Sequence, residues 1–315
     1  MNRIVVIGGR GYTGNELVPL LWRHPEFDLV AIGSRSASGE SVAGQIGGMD
    51  DCSLSFSSIL PADIVEYPAD AYVLALPNGH AARYVAAIDQ AHKHAIIVDL
   101  SADYRFDSTW TYGLPEMPGQ SQPGARRIAN PGCYATAFQL LLAPLINEFA
   151  GTPVGFGVSG YSGAGRTPSR RNNTEALQDN LMPYSLIDHI HEKEVSHQMG
   201  RSVRFLPHVA SFFRGISLTG AFELQQPVEE TALLEKYQAF YKDSELVEVQ
   251  AGIPEVAEIV GRHGALIGGF TVSQSQPGAV SMVCVLDNLL KGAATQAMQN
   301  LNLAFGLDQH LGIPL

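Results

Sequence analysis

The sequence is poor in charged residues, and positive charge is the scarcer sign. Charged residues make up 16% of the 315-residue chain, and 20 Lys and Arg stand against 31 Asp and Glu, which gives a net charge of −11. Because phosphate backbones and anionic membranes bind basic surfaces, this balance argues against nucleic acid and against membranes as general partners. A small anionic ligand remains compatible, since one local pocket can oppose the global field, and the few arginines therefore need individual inspection.

Long apolar runs are also missing. No stretch reaches the roughly 18 consecutive apolar residues that a membrane-spanning helix requires. The apolar segment 3–9 is too short for a signal peptide, and no small-residue cleavage site follows it. We therefore expect a soluble cytoplasmic protein, whose length and 45% hydrophobic content allow two domains.

Cysteine is rare, and its spacing excludes two roles. The three cysteines, Cys52, Cys133 and Cys284, are odd in number and far apart, and no Cys-x-x-Cys pair occurs. The pattern argues against a disulfide framework, and no metal site is predicted.

The first part of the chain alternates strand-like and helix-like segments. Short apolar runs that end in glycine or polar residues alternate with segments whose apolar residues recur at helical spacing; in order these are 3–9, 14–24, 27–35, 70–77, 80–94 and 95–101. Strands that are apolar throughout are typical of a sheet covered on both faces. The pattern predicts an α/β fold with a Rossmann-type, doubly wound parallel sheet.

From about Val154 the pattern changes. Four strand-like segments follow one another, at 154–162, 216–225, 265–274 and 279–288. Between them we expect one helix near 229–242 and loops rich in His, Arg and Gly, which predicts a second, α+β domain. The last segment, 288–306, is predicted to be helical. We expect domain boundaries at 1–132, completed by 288–315, and at 133–287.

Glycines mark a turn between the first strand and the first helix. Gly8, Gly11 and Gly14 would let the backbone approach a pyrophosphate at the helix N-terminus, although an ordinary tight turn remains the alternative. The second strand ends in Ser34, Arg35 and Ser36. An NAD site places an acidic residue there, whereas an arginine flanked by hydroxyls suits a 2′-phosphate, so NADP is favoured; a solvated loop arginine is the alternative.

Cys133 differs from the other two cysteines in its neighbours. It follows Asn-Pro-Gly and precedes an apolar run that is predicted to be a buried helix, so it falls at that helix's N-terminus. The helix dipole and the unpaired N–H groups there favour a thiolate, and the same groups could hold an oxyanion. An inert core residue is the alternative, and it is the interpretation we prefer for Cys52 and Cys284.

Several motifs together resemble one family. The sequence is similar to the N-acetyl-γ-glutamyl-phosphate reductases, within the aspartate-semialdehyde dehydrogenase-like superfamily. The matching motifs, in chain order, are GYTGNEL (11–17), SRSASG (34–39), ALPNGHA (75–81), DLSADYR (99–105), YGLPE (112–116), NPGCYAT (130–136), GYSGAGR (160–166), PHVASFFRGI (207–216) and DNLLKGAATQAMQN (287–300). The chain departs from the family at Gly9 and Arg10, where Ala-Ser is usual, and at HIHEKEV (189–195), where His-Arg-His-x-Pro-Glu is common.

The resemblance implies a chemistry and a set of site residues. The family reduces N-acetyl-γ-glutamyl phosphate to a semialdehyde with NADPH in arginine biosynthesis, through a thioester on a cysteine, here Cys133. His191 would be the acid/base, with His189 as its neighbour and His208 in reserve. The family also implies a homodimer or homotetramer, held together by the domain that carries the cysteine.

The remaining expected residues fall into two groups. Cofactor contacts are expected from Gly8, Arg10, Gly11, Tyr12, Thr13, Gly14, Ser34, Arg35, Ser36, Pro77, Asn78, Asn288 and Lys291. Substrate contacts are expected from Arg105, Asn130, Ser162, Gly163, Arg166, His208 and Arg214, whereas Arg170 and Arg171 are interpreted as a solvated pair. Another acyl-phosphate reductase, such as an aspartate-semialdehyde dehydrogenase or an aminoadipate-pathway homologue, remains possible, as does a non-catalytic NADP-sensing protein.

Overall fold

Two seven-stranded sheets organise the chain in a computed structural model that describes residues 1–119 and 123–315. Each sheet belongs to its own structural unit. The first unit comprises Met1–Pro131 and Ala293–Ile313, and the second comprises Gly132–Gly292 and Pro314–Leu315.

The sheet of the first unit is parallel throughout. Its strands are β1 (Asn2–Ile7), β2 (Phe27–Gly33), β3 (Phe56–Ser57), β4 (Ala71–Leu74), β5 (Ile96–Asp99), β6 (Thr111–Tyr112) and β7 (Arg127–Ala129). They lie in the order β3-β2-β1-β4-β5-β7-β6. β1 pairs with both β2 and β4, so the winding direction reverses there and opens a crevice at the carboxyl ends of the strands. The predicted doubly wound fold is confirmed.

The helices of the first unit cover this sheet as the apolar pattern predicts. α1 (Tyr12–Trp22) follows β1, and α2 (Ala81–Ala91) follows β4. The connection between β3 and β4 is a 3₁₀ helix, Pro61–Glu66. β4 and β5 are buried at every residue, because both faces of the sheet are covered.

The sheet of the second unit is mixed. Its strands are β8 (Val154–Gly160), β9 (Met182–Pro183), β10 (Arg204–Ala210), β11 (Ile216–Glu223), β12 (Val247–Val249), β13 (Ala265–Val272) and β14 (Ala279–Leu286). The order is β12-β13-β14-β11-β8-β10-β9, with β8 and β10 parallel and the central pairs antiparallel. The predicted α+β architecture is confirmed, and all four expected strands are present.

The α-helices of the second unit are α3 (Cys133–Leu142), α4 (Thr174–Leu177), α5 (Ile190–Met199), α6 (Glu230–Tyr241) and α7 (Val256–Ile259). Of these, α3 lies at the centre of the unit's apolar core. After Cys133, every residue of α3 is buried, as expected of a helix that is apolar on all sides. The hydroxyls of Tyr237 and Tyr241 donate to the carbonyls of Leu141 and Leu140, which occupies acceptors that the helix end leaves unpaired.

Helix α5 was missed by the sequence analysis, which expected loops in this region. The helix lacks an apolar pattern at helical spacing, because its buried face contains two glutamates, Glu192 and Glu194. Glu192 accepts the backbone N–H of Phe205 at 2.7 Å, so the buried carboxylate is paired with the adjacent strand β10.

The last predicted helix is divided. Leu290–Ala294 forms a π-helical turn, and α8 (Thr295–Ala304) follows it and packs against α1 and β5 in the first unit. Of the helices in the described parts of the chain, none combines the length and apolarity needed to cross a membrane.

Candidate active site

A pocket in the second unit opens at the N-terminus of α3. It contains about 330 Å³ of empty space, part of it open to solvent. The residues that line it are Cys133, Tyr134, Ser159, Gly160, Gly163, Ala164, Arg171, Tyr184, His191 and Val209. The structure therefore brings Cys133, His191 and Gly163 of the predicted site together around one cavity.

Cys133 is the first residue of α3 and is half-buried, with Gly132 as the N-cap residue. Its thiol is therefore placed where the helix dipole favours a negative charge. Cys52 and Cys284 are buried in the apolar cores, and burial raises the pKa of the Cys284 thiol far above its usual range. Cys133 is thus the thiol with both access to a cavity and an electrostatic reason to ionise.

The backbone behind Cys133 leaves no space for a side chain at position 292. A Cβ built on Gly292 would lie 2.7 Å from the Cβ of Cys133. The amide of Gly292 donates to the carbonyl of Asp287 at 3.0 Å, which holds this close approach in place.

Glu194 connects the cysteine helix to the histidine helix. Its fully buried carboxylate accepts the N–H of Gly132 at 2.9 Å. Glu194 lies three residues after His191 on α5, so both residues lie on neighbouring positions of one helical face. The sequence analysis missed Glu194, and the signal that could have indicated it is this three-residue spacing to a candidate histidine.

The two predicted histidines have different environments. His191 lines the pocket. His189 is the N-cap residue of α5, and its Nδ1 accepts the backbone N–H of His191 at 3.1 Å. Burial, and secondly the charge of Arg171, lowers the pKa of His189 to about 4. His189 is therefore neutral at neutral pH, with one ring nitrogen already occupied in holding the start of α5.

The other predicted residues on the 160–166 segment divide between a buried network and the surface. The Ser162 hydroxyl accepts from the Asn288 side-chain amide at 2.9 Å, and the Asn288 oxygen accepts the N–H of Gly215 at 2.7 Å. Both side chains are buried, and the bonds fix this segment against the start of β11. Arg166 is exposed and is not among the residues that line the pocket.

His208, Arg214 and Lys291 lie elsewhere in the second unit. His208 alternates on β10 with Val209, which lines the pocket, so its ring lies on the other face of the sheet, 4.5 Å from the ring of Phe156. The Nε of Arg214 is 2.6 Å from the buried carboxylate of Asp287. Lys291 is fully buried on the π-helical turn. None of the three is among the residues that line the pocket.

Arg105 and Asn130 belong to the first unit, where both are buried. The Nε of Arg105 donates to the Asn130 carbonyl and its Nη2 to the Leu100 carbonyl, each at 2.9 Å. The Asn130 side-chain oxygen accepts from Asn300 at 2.9 Å. These contacts fasten the segment that leads to Cys133.

The glycine-rich turn of the first unit has the shape that a dinucleotide requires. Gly8 has φ +91°, and a Cβ at this position would lie 2.2 Å from the Ala75 carbonyl oxygen. A Cβ on Gly14 would lie 2.2 Å from the Gly9 carbonyl oxygen, so neither position has space for a side chain. Gly11 is the N-cap residue of α1, and no described side chain caps the helix. The turn therefore presents helix N–H groups at the switch point, as pyrophosphate binding requires; Tyr12 and Thr13 form the first turn of α1.

The predicted 2′-phosphate residues lie at the carboxyl edge of the same sheet. Arg10 reaches from the glycine-rich turn and donates through Nη1 to the Ser36 hydroxyl at 3.1 Å. Arg35 is exposed, whereas Ser34 is buried. After β4, Pro77 and Asn78 are exposed, and the Asn78 oxygen accepts the N–H of Ala102 at 3.0 Å.

Acidification tests the environment of His189. In the unfolded chain His189 has a pKa near 6.5, whereas in the folded protein its pKa is about 4. Between these pH values the unfolded state binds more protons than the folded state, so the free energy of unfolding falls as the pH falls. Asn is a good N-cap residue, so His189→Asn keeps the cap and removes the titration. Between pH 7 and 4.5 the variant should lose about 2 kcal/mol less unfolding free energy than the wild type, measured by urea denaturation. His80→Asn, at an exposed position, is the control. If the wild type and both variants lost the same unfolding free energy between pH 7 and 4.5, the lowered pKa of His189 would be contradicted.

Comparison with known protein families gives two matches along the chain. The semialdehyde dehydrogenase NAD binding domain matches residues 3–122, and the semialdehyde dehydrogenase dimerisation domain matches residues 133–288.

Curated relatives match over nearly the whole length. The chain is 51% identical over 306 residues to an N-acetyl-gamma-glutamyl-phosphate reductase of Xanthomonas oryzae pv. oryzae, which covers 97% of this chain and 96% of that protein. It is 50% identical over 311 residues to a protein of the same name from Stenotrophomonas maltophilia, covering 98% and 97%.

Solved structures agree with the fold. Aspartate semialdehyde dehydrogenase II from Vibrio cholerae superposes with a TM-score of 0.76 at 16% identity, over 96% of this chain and 98% of that one. Aspartate semialdehyde dehydrogenase with NADP from Candida albicans gives 0.70 at 14% identity, over 97% and 99%. At such identity the likeness shows the fold alone.

Proposed function

The chain belongs to the N-acetyl-γ-glutamyl-phosphate reductases, and from that premise we propose that it reduces N-acetyl-γ-glutamyl phosphate to N-acetylglutamate semialdehyde and phosphate with NADPH, a step of arginine biosynthesis. The relatives that are about 50% identical over nearly the whole chain carry that name. The structural observation that supports the chemistry is that Cys133 and His191 line one pocket at the N-terminus of α3.

The chain's own residues account for the covalent steps. The Cys133 thiolate attacks the acyl carbon, the carbon–oxygen bond to phosphate breaks, and a thioester remains, so that one difficult displacement becomes two easier ones. His191 takes the thiol proton before this attack, donates a proton to the oxygen that becomes anionic when the thioester is reduced, and accepts that proton again when the aldehyde leaves. This role suits a histidine at neutral pH. When bound, NADPH supplies the hydride that reduces the thioester carbonyl. The carbon–sulfur bond then breaks, its electron pair returns to Cys133 as the thiolate, the hydroxyl proton passes to His191, and the aldehyde leaves.

The nucleophile is tested by its product. Enzyme mixed with acyl phosphate in the absence of NADPH should gain the mass of one acyl group, and peptide mapping should place that mass on Cys133. Cys133→Ser should form no adduct, and its kcat should fall at least about a thousandfold, because removal of a true nucleophile lowers kcat by orders of magnitude. Cys52→Ser is the control and should form the adduct normally. An adduct on Cys52, or an active Cys133→Ser, would refute the mechanism.

A related substrate is the main alternative. An aspartate-semialdehyde dehydrogenase would use the same thioester chemistry with aspartyl phosphate, and the solved structures with this fold carry that name. The higher identity of the named N-acetyl-gamma-glutamyl-phosphate reductases favours the acetylated five-carbon substrate. Parallel assays with both acyl phosphates separate the two.

We propose NADP as the coenzyme on the basis of the residues after β2. No acidic side chain is present between Ser34 and Gly39. Arg35 and Ser36 occupy the region where a 2′-phosphate would lie, and Arg10 hydrogen bonds to Ser36. Two guanidinium groups at this edge would favour NADP over NAD in an otherwise acidic protein.

Coenzyme discrimination tests these arginines without turnover. Arg35→Ala should weaken NADPH binding about 10- to 100-fold, the usual value of a charge-assisted hydrogen bond, and leave NADH binding nearly unchanged. Dissociation constants are measured by fluorescence titration, with the exposed Arg83→Ala as control. Arg10→Ala should likewise weaken NADPH binding more than NADH binding. If either variant weakened the binding of both coenzymes equally, the arginine it removes would contact the pyrophosphate instead of the 2′-phosphate.

We further propose that the protein is a homodimer or homotetramer in the cytoplasm, assembled through the second unit. That unit matches a family described as a dimerisation domain. On the sheet face that carries His208, Phe156 is 38% exposed and lies beside Leu206 of β10. An apolar sheet face of this kind is typical of a surface covered by another subunit.

Phe156→Asp tests the proposed interface. Placing a charge on the sheet face should shift the sedimentation-equilibrium mass toward the monomer, because burying an unpaired carboxylate is costly. Val65→Asp alters an apolar residue that is 64% exposed in the first unit and should leave the mass unchanged. An unaltered mass for Phe156→Asp would exclude this face.

A further inference from the structure

The pocket around Cys133 contains a cation that the proposed mechanism does not use. The proposed substrate carries a phosphate and a carboxylate, in a protein whose net charge is −11. Among the described residues that line the pocket, Arg171 is the one with a permanent positive charge. A guanidinium group binds such oxyanions through two parallel hydrogen bonds.

Arg171 is positioned by a second residue of the pocket. Its guanidinium carbon lies 4.8 Å from the centre of the Tyr184 ring, which is a cation–π contact. The side chain remains exposed, so a ligand in the pocket can reach it.

The turn that carries Arg171 is itself held in place. Arg170–Asn172 forms a 3₁₀ turn, and the Asn172 amide donates to the carbonyls of Gly165 and Thr167 at 2.7 and 2.8 Å. The Asn172 side-chain oxygen accepts the N–H of Ser169 at 2.8 Å. These bonds fix the turn before any ligand arrives, and such preorganisation lowers the entropic cost of binding.

We propose that Arg171 is a substrate-binding residue whose guanidinium holds an oxyanion of the acyl phosphate, either its phosphate or its carboxylate, in the Cys133 pocket. The proposal rests on the proposed function, because that function supplies the two anions. It replaces the interpretation of Arg170 and Arg171 as an equivalent solvated pair: Arg171 lines the pocket, and Arg170 does not.

The reverse reaction distinguishes the two anions. In that direction the phosphate and the semialdehyde enter as separate substrates, and each has its own KM. Arg171→Met keeps the length of the side chain and removes the charge and the donors. One of the two KM values should rise about 10- to 100-fold, as expected for the loss of a charge-assisted hydrogen bond. A rise for phosphate assigns the phosphate, a rise for the semialdehyde assigns the carboxylate, and a rise for both assigns a contact shared between them.

The controls separate binding from folding. Arg170→Met changes the neighbouring residue of the same turn and should leave both KM values unchanged. Arg171→Lys keeps the charge without the planar fork and should give a smaller rise than Arg171→Met. Thermal unfolding of each variant checks that the fold is retained.

Two results would overturn the inference. An active Arg171→Met enzyme with both KM values within about twofold of wild type would exclude anion binding by Arg171, as would a loss confined to kcat. A wild-type enzyme that does not oxidise the semialdehyde at all would instead overturn the proposed function, and this inference with it.

Discussion

The hydrogen bond from Gly132 to Glu194 is the contact on which the geometry of the pocket depends. It joins the start of α3, where Cys133 is the first residue, to α5, which carries His191. The carboxylate is fully buried and lies at the N-terminus of α3, where the helix dipole favours a negative charge. Cys133 begins the same helix and shares this end of the dipole. His191 and Arg171 line the same pocket, so a histidine and a permanent cation stand near the thiol.

The sheets could be predicted from the sequence because their signal is local. Continuous apolar runs indicated β1, β2, β4 and β5, and strand-like segments likewise indicated β8, β11, β13 and β14 in the second unit. Helix α5 could not be found in this way. Its buried face contains Glu192 and Glu194, whose partners come from distant segments, so no hydrophobic period marks it. The pairing that makes their burial tolerable exists only in the folded chain.

The site was predictable where a residue's immediate neighbours determine its environment. Asn-Pro-Gly before an apolar run placed Cys133 at a helix start, and the family resemblance pointed to His191. Arg170 and Arg171 show the limit of this reasoning, because adjacent arginines in a polar segment look alike in sequence. The structure distinguishes them, because Arg171 lines the pocket and lies over the Tyr184 ring. Arg105 and Arg214 were expected to contact the anionic substrate, and that expectation stays a prediction. The structure shows contacts from Arg105 to backbone carbonyls and from Arg214 to Asp287, which the sequence did not indicate.

The contact between Gly292 and Cys133 joins two residues of the second unit that are far apart in the sequence and are therefore synthesised at different times. Cys133 is synthesised long before Gly292, whose backbone packs against the Cβ of Cys133. Cys133 therefore acquires this backbone neighbour only after Gly292 has been synthesised. A fragment that ends before Gly292 therefore contains Cys133 without this contact.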